Sequence, residues 1–214
     1  GKKKEMTKEA FWKKLSKEAY DDVRFRKHLS DLLKLVEGFL AQQAYEENPL
    51  HQATYLIEAV GKKKMEKLYN STMKTARRLS NQQTHRGASY YYYQYEIEKN
   101  YYDLTEFETR RADRTNMEEI ANNLDSFYLA EKLRIYCAVL TQQYFVSQEY
   151  QLLFIDEIIS HIKKYKYDNI PPISLYYQVY LTTVDDENLD HYYKLKALLE
   201  EHSLKFSKQE ALTI

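Results

Sequence analysis

A chain that folds as a sheet must reverse direction every 8–12 residues or so, and it does this with Gly, Pro and Asn-Gly turns. The 214 residues here include four Gly and three Pro, far below the average usage of about 7% and 5%. Long helices joined by short polar loops need few of either. The scarcity therefore predicts an all-α fold. With 43% hydrophobic residues, the chain has the apolar surface for a sizeable core, which argues against global disorder.

Apolar residues at helical spacing divide the chain into about ten predicted helices. Phe11, Leu15 and Ala19 form the stripe of the first, over 7–20. Phe25, Leu29, Leu32, Leu33, Val36, Phe39 and Leu40 keep the period through a second, over 22–46. Pro49 opens a third, which Gly61 is positioned to stop. A fourth covers 65–83, and Gly87 separates it from a tyrosine-rich fifth over 88–108. A short sixth is expected over 116–123, with Asp125 or Ser126 capping a seventh. Ser147, Pro171-Pro172 and Asn188 start the remaining three.

Helices joined by short polar loops pack as antiparallel neighbours. In the second half, first-helix starts fall near Asp125, Pro171 and Ser207, spaced 46 and 36 residues. Two-helix repeats of such length mark α-solenoids, in which each hairpin covers the apolar side left open by the one before. The expected fold is thus one helical-repeat domain over 1–214, subdivided into basic helices over 1–87 and hairpins over 88–214. At the end of the chain, Ser207 precedes Glu210 in a capping-box pattern, with Ala211, Leu212 and Ile214 beginning an apolar run. The pattern is that of a helix begun and not finished, as in a piece of a longer chain. The start, Gly1-Lys2-Lys3-Lys4 without Met, fits a processed or excised piece.

The run Asp125-Ser126-Phe127-Tyr128-Leu129-Ala130-Glu131-Lys132-Leu133-Arg134-Ile135-Tyr136-Cys137-Ala138-Val139-Leu140 resembles the first helix of a degenerate tetratricopeptide-like hairpin. Phe206-Ser207-Lys208-Gln209-Glu210-Ala211 resembles the entry to another. The style is similar to that of uncharacterised helical proteins from Bacteroidota, and the resemblance covers roughly 116–214. It departs from the repeat pattern in its irregular spacing and in lacking the Gly of the first helix. What the resemblance implies is a groove that binds peptides or other proteins.

Formal charge is zero but unevenly spread. Residues 1–87 hold 19 Lys+Arg against 11 Asp+Glu, a net of +8, and residues 88–214 hold 13 against 21, a net of −8. Such asymmetry suits head-to-tail association, an acidic partner for the first half, or simply a solvated surface. It also keeps open nucleic-acid binding through the basic half, where Lys74, Arg77, Arg78 and Arg86, and further on Arg110, Arg111 and Arg114, stand near aromatic rings. The single cysteine, Cys137, lies in an apolar pattern and reads as a core residue. Its solitude fits a reducing, cytoplasmic setting. No apolar run reaches the roughly 18 residues of a membrane helix, so no membrane association is expected.

The usual catalytic patterns are missing. Gly61-Lys62-Lys63-Lys64 lacks the earlier Gly and the following Ser or Thr of a phosphate loop. His-Glu-x-x-His and Glu-x-x-His do not occur. Glu157 and His161, four apart, read as a surface pair. Asp185, Asp186, Glu187 and Asp190 lack the central Gly and spacing of a calcium loop. No catalytic residue, metal or cofactor is expected, and a helical enzyme of another kind stays as an alternative.

The positive signal is tyrosine, with 22 residues. Tyr90-Tyr91-Tyr92-Tyr93 and Tyr95 surround one helix, so they cannot all face a core. Tyr91, Tyr95 and Tyr102 fall near one face at 100° per residue. Tyrosine joins an apolar body to a polar tip and loses little rotamer entropy, which suits binding surfaces. The sequence therefore reads as a non-catalytic protein- or peptide-binding scaffold, with Tyr91, Tyr95, Tyr102, Arg77 and Arg78 as its partner-binding residues. Rings packed between helices with hydroxyls at solvent are the alternative.

Overall fold

A computed structural model describes residues 7–105, 115–146, 149–165, 167–202 and 204–206, apart from the Glu66 side chain. Among these residues all regular structure is helical. The helices are α1 (Lys8–Leu15), α2 (Asp22–Glu46), α3 (Pro49–Lys62), α4 (Glu66–Asn81), α5 (Ala88–Leu104), α6 (Met117–Val146), α7 (Ile155–Tyr165), α8 (Pro171–Val184) and α9 (Leu189–Glu201). Two compact units divide the chain, Gly1–Gln52 and Ala53–Ile214. The charge boundary at residue 87 falls inside the second.

In the first unit, α1 stops at Leu15 rather than reaching residue 20, and Leu15 is exposed. Trp12 supplies the reason. Its buried indole Nε1 donates to the carbonyls of Glu18 and Ala19, both at 3.1 Å, so the chain after Ser16 wraps the ring instead of extending the helix. Trp12 also stacks on His28 at 5.7 Å and meets Phe25 edge-on at 6.1 Å. Asp21 caps α2 by accepting from the Val23 and Arg24 N–H groups at 2.8 and 3.2 Å. Beyond Phe25, the apolar stripe of α2 stays exposed.

In the second unit, α3 contributes the buried Ala53, Ile57 and Val60. It runs past Gly61 to Lys62, and the left-handed residue after it is Lys64, with φ 52°. Gly61 serves close approach rather than a helix stop, because a Cβ there would run into the Leu104 Cδ atoms. The two helices expected over 116–123 and beyond 125 are one, α6. Ser126 does not cap. Its buried hydroxyl donates to the Asn122 carbonyl at 2.6 Å, the i−4 back-bond open to a serine within a helix.

α4 packs on α5, α5 on α6, α6 on both α7 and α8, and α8 on α9. The core is centred on α6. Ala88 of α5, Leu129, Ala130 and Leu133 of α6, Ile158 and Ile162 of α7, and Ile173 and Tyr176 of α8 form its buried cluster. Cys137 is buried beside it and its Sγ donates to the Tyr176 carbonyl at 3.4 Å. Burial pushes its thiol up to about 12, as befits a core residue rather than a nucleophile.

Pro171-Pro172 opens α8, and Asn188 caps α9 through the Asp190 N–H at 3.2 Å. α7 begins at Ile155, while Ser147 lies outside the described residues. So do Glu108, Arg110, Arg111, Arg114 and the Ser207–Glu210 pattern. His161 does not pair with Glu157. Its Nε2 meets the Tyr167 hydroxyl at 2.7 Å. In the acidic turn, Asp185 accepts from Asn188 Nδ2 and faces His191 Nε2, both at 3.2 Å.

Candidate functional site

A cleft of about 530 Å³ opens within the second unit, among α4, α5 and α6. Helical spacing assembles it. Arg77 and Asn81 are four apart on α4, and Glu119 and Asn123 are four apart on α6. Tyr90, Gln94 and Glu98 follow one side of α5 at the same interval. Arg86 enters from the segment before α5, which is held by its own N–H donating to the Lys205 carbonyl at 2.6 Å.

The floor is ionic. Glu98 is 4% exposed, and an unpaired carboxylate buried that far would be costly. Arg77 answers it with two bonds, Nε to Oε1 at 2.9 Å and Nη2 to Oε2 at 2.8 Å. Asn116 Nδ2 adds a third to Oε2 at 2.8 Å and also reaches the Glu98 carbonyl at 2.9 Å. The Glu98 hydrogen bonds, with the charge behind them, raise the Arg77 pKa. The guanidinium also lies 4.8 Å from the centre of the Tyr101 ring.

The rim is aromatic and amide-rich. Tyr90 meets Tyr91 edge-on at 5.2 Å, accepts from Gln94 Nε2 at 2.9 Å, and carries the Arg86 guanidinium 5.3 Å above its ring. Burial pushes the Tyr91 phenol up to about 12, so it stays protonated at neutral pH. Among the described residues Arg86 has no carboxylate partner. Glu98 is held by three donors, whereas Arg86, Glu119 and the side-chain amides of Asn81, Gln94 and Asn123 remain to meet a polar guest.

Of the five residues picked out in the sequence, Tyr91 and Arg77 come together here. Tyr95 and Tyr102 are half-buried but outside the lining, and Tyr95 has the Lys99 ammonium 5.8 Å from its ring centre. Arg78 is exposed and bonds Gln82 at 3.1 Å. The cleft opens on the side of α5 that carries Tyr90, so Tyr91 stands at its edge and Tyr95 and Tyr102 lie beyond it. Glu98 and Asn116 were missed. Glu96 and Glu98 flank Ile97 alike in the sequence, and only the packing of α5 shows which of the two is buried and needs a partner.

A second cleft of about 610 Å³ lies between α7, α8 and α9, lined in part by Tyr167, Ser174, Tyr177 and His202. His202 is buried, and its Nδ1 has no hydrogen-bond partner among the described residues. Gln178, also buried, is held through Nε2 to the His191 carbonyl at 2.9 Å.

No protein-family model, curated protein or solved structure matches the chain. Among the described residues, no three His, Cys, Asp or Glu side chains group as metal ligands. No described helix is long and apolar enough to cross a membrane.

Proposed function

We propose that the chain is a non-catalytic, tetratricopeptide-like helical-repeat scaffold that binds a protein or peptide, and that a carboxylate-bearing peptide segment docks in the α4–α5–α6 cleft. The observation that carries this reading is the division of labour in the cleft. The charges of its floor are bonded to one another, and its rim presents Arg86, tyrosine rings and amides, with Glu119 as its one further carboxylate among the described residues. Arg86 would take the carboxylate, the amides the peptide main chain, and Tyr90 and Tyr91 its apolar portions. The side-by-side packing of α4, α5, α6, α8 and α9 supports the repeat architecture. Nucleic-acid binding has less support, since Arg77 is committed to Glu98 and Arg78 to Gln82.

The test is titration of the chain with an array of acidic and neutral peptides. Arg86→Glu or Tyr91→Ala is expected to weaken the selected peptide by about tenfold or more, while Lys194→Glu on α9 leaves it unchanged. Peptide binding indifferent to both cleft changes would place the function elsewhere.

A further inference from the structure

Within the first unit, large apolar side chains line one side of α2 without cover. Leu29, Leu32, Leu33, Leu35, Val36, Phe39 and Leu40 are each 44–71% exposed, on a helix of which only Phe25 is buried. A contiguous patch of this kind marks an interaction surface. Its spacing is specific. Leu29, Leu32, Val36 and Phe39 follow the buried Phe25 in steps of four, three, four and three, the seam of a two-helix coiled coil left open from Leu29 onward.

The edge of the seam says what covers it. Arg26, Leu33, Leu40 and Glu47 recur every seventh residue along that edge, positive at one end, apolar in the middle and negative at the other. The whole helix follows suit. With its caps counted, its amino half carries Arg24, Arg26, Lys27 and Lys34 against Asp21, Asp22 and Asp31, and residues 35–47 carry Glu37, Glu46 and Glu47 with no Lys or Arg. At the amino end Asp21 and Asp22 suit the helix dipole, whereas Glu46 and Glu47 at the carboxyl end oppose it. An antiparallel second copy brings the cations that follow the first turn to that acidic end.

We propose that α2 pairs with α2 of a second copy of this chain as an antiparallel two-helix coiled coil. Leu29 then packs on Phe39 and Leu32 on Val36 across a two-fold axis, Leu33 meets Leu40, and Arg26, paired with Asp22 in its own helix, also meets Glu47. Parallel pairing would instead set Arg26 beside Asp21 but Glu47 beside the neutral Gln42, and would bring the acidic carboxyl ends of the two helices together. A closed two-fold pair of this kind uses the same surface on both copies.

Sedimentation equilibrium on the whole chain tests this. The mass should rise from 25.8 kDa to twice that between about 1 and 100 µM. Leu32→Glu with Val36→Glu should weaken association by at least about a hundredfold with unchanged helicity, because both side chains are exposed in the single copy. Arg26→Glu alone should weaken it, and adding Glu47→Arg should restore it, which a misfolded variant would not show. Oxidation should cross-link a mixture of R26C and E47C chains but not R26C chains alone, and the buried Cys137 does not interfere. A chain monomeric throughout, a dimer indifferent to the glutamates, or R26C chains that cross-link to themselves would each overturn the proposal.

Discussion

α2 and α6 are the two long helices of the described chain, 25 and 30 residues, and they use their apolar faces differently. α6 buries Ser126, Leu129, Ala130, Leu133 and Cys137, and α5, α7 and α8 close around it. α2 buries Phe25 and leaves the rest of a regular stripe exposed. Both patterns look amphipathic in sequence. What separates them is the size of the side chains on the inward face. α6 interleaves Ala and Ser with Leu, so neighbouring helices approach from several sides. The stripe of α2 is Leu, Val and Phe without a small residue, a seam fit for a single partner helix. An amphipathic pattern thus shows that a face needs cover, and residue size shows how many neighbours supply it.

The sharpest way to break that contrast is to truncate one leucine on each helix. Leu133 is 0% exposed, and Leu133→Ala should cost about 2–5 kcal/mol through lost contacts and the cavity left behind. Leu35, on α2, is 71% exposed. Leu35→Ala should change stability by under about 0.5 kcal/mol, measured on chains diluted below the concentration at which α2 pairs. Urea unfolding of both variants decides. Equal losses would mean that α2 is packed as deeply as α6.

The next contrast sets the paired charge of the cleft against the surface pairs of α2. Arg77→Met leaves Glu98 buried with only the Asn116 bonds, and should cost about 2 kcal/mol, discounted from a fully buried pair because Arg77 is partly exposed. Arg26→Met removes an exposed pair with Asp22 and should cost about 0.5 kcal/mol or less under the same dilution. If the two losses coincide in thermal unfolding, Glu98 is not the anchor of the cleft floor.

These contrasts also mark how far the sequence could be read. Helix starts at Asp22, Pro49, Pro171 and Asn188 were legible because a cap or a Pro acts within one turn of its own residue. The fusion of two expected helices into α6 was not. Ser126 can cap or back-bond, and burial against neighbours distant in sequence decides which. The site divides in the same way. Arg77 and Tyr91 were picked for their chemistry, whereas Glu98, 21 residues from Arg77, becomes a partner only once α4 lies on α5. Tyr95 and Tyr102 lie outside the cleft lining, since periodicity orders faces but does not say which one a neighbour leaves open.

A smaller effect comes from pH. Burial, aided by Lys205 and opposed by Glu201, holds the His202 imidazole below its ordinary 6.5. The folded state therefore takes up this proton less readily than the unfolded state. Above 6.5 both are neutral and the group adds no slope. As pH falls below 6.5 the unfolded chain is protonated first, and stability declines until the folded imidazole titrates too. Thermal midpoints at pH values on either side of 6.5 should show the decline, and His202→Phe should remove its share. An unchanged slope in that variant would mean that His202 is as open to solvent as the exposed side chains of α2.

The smallest contrast concerns two glycines. Gly38 lies inside α2 with no atom near where a Cβ would stand, and Gly61 lies in the last turn of α3 against Leu104. Neither takes a positive φ, so alanine fits the backbone at both. Gly38→Ala should then stabilise by about 0.5–1 kcal/mol, through helix propensity alone. Gly61→Ala gains the same propensity but drives its methyl into the Leu104 side chain, which must turn away from its packed position. Its net effect should be lower than that of Gly38→Ala and of opposite sign if Leu104 has no other rotamer to take. Chemical denaturation of the two variants side by side reads the difference directly. A Gly38→Ala chain no more stable than the parent would mean that something already occupies the open side of α2 at Gly38, off the seam assigned to the second copy.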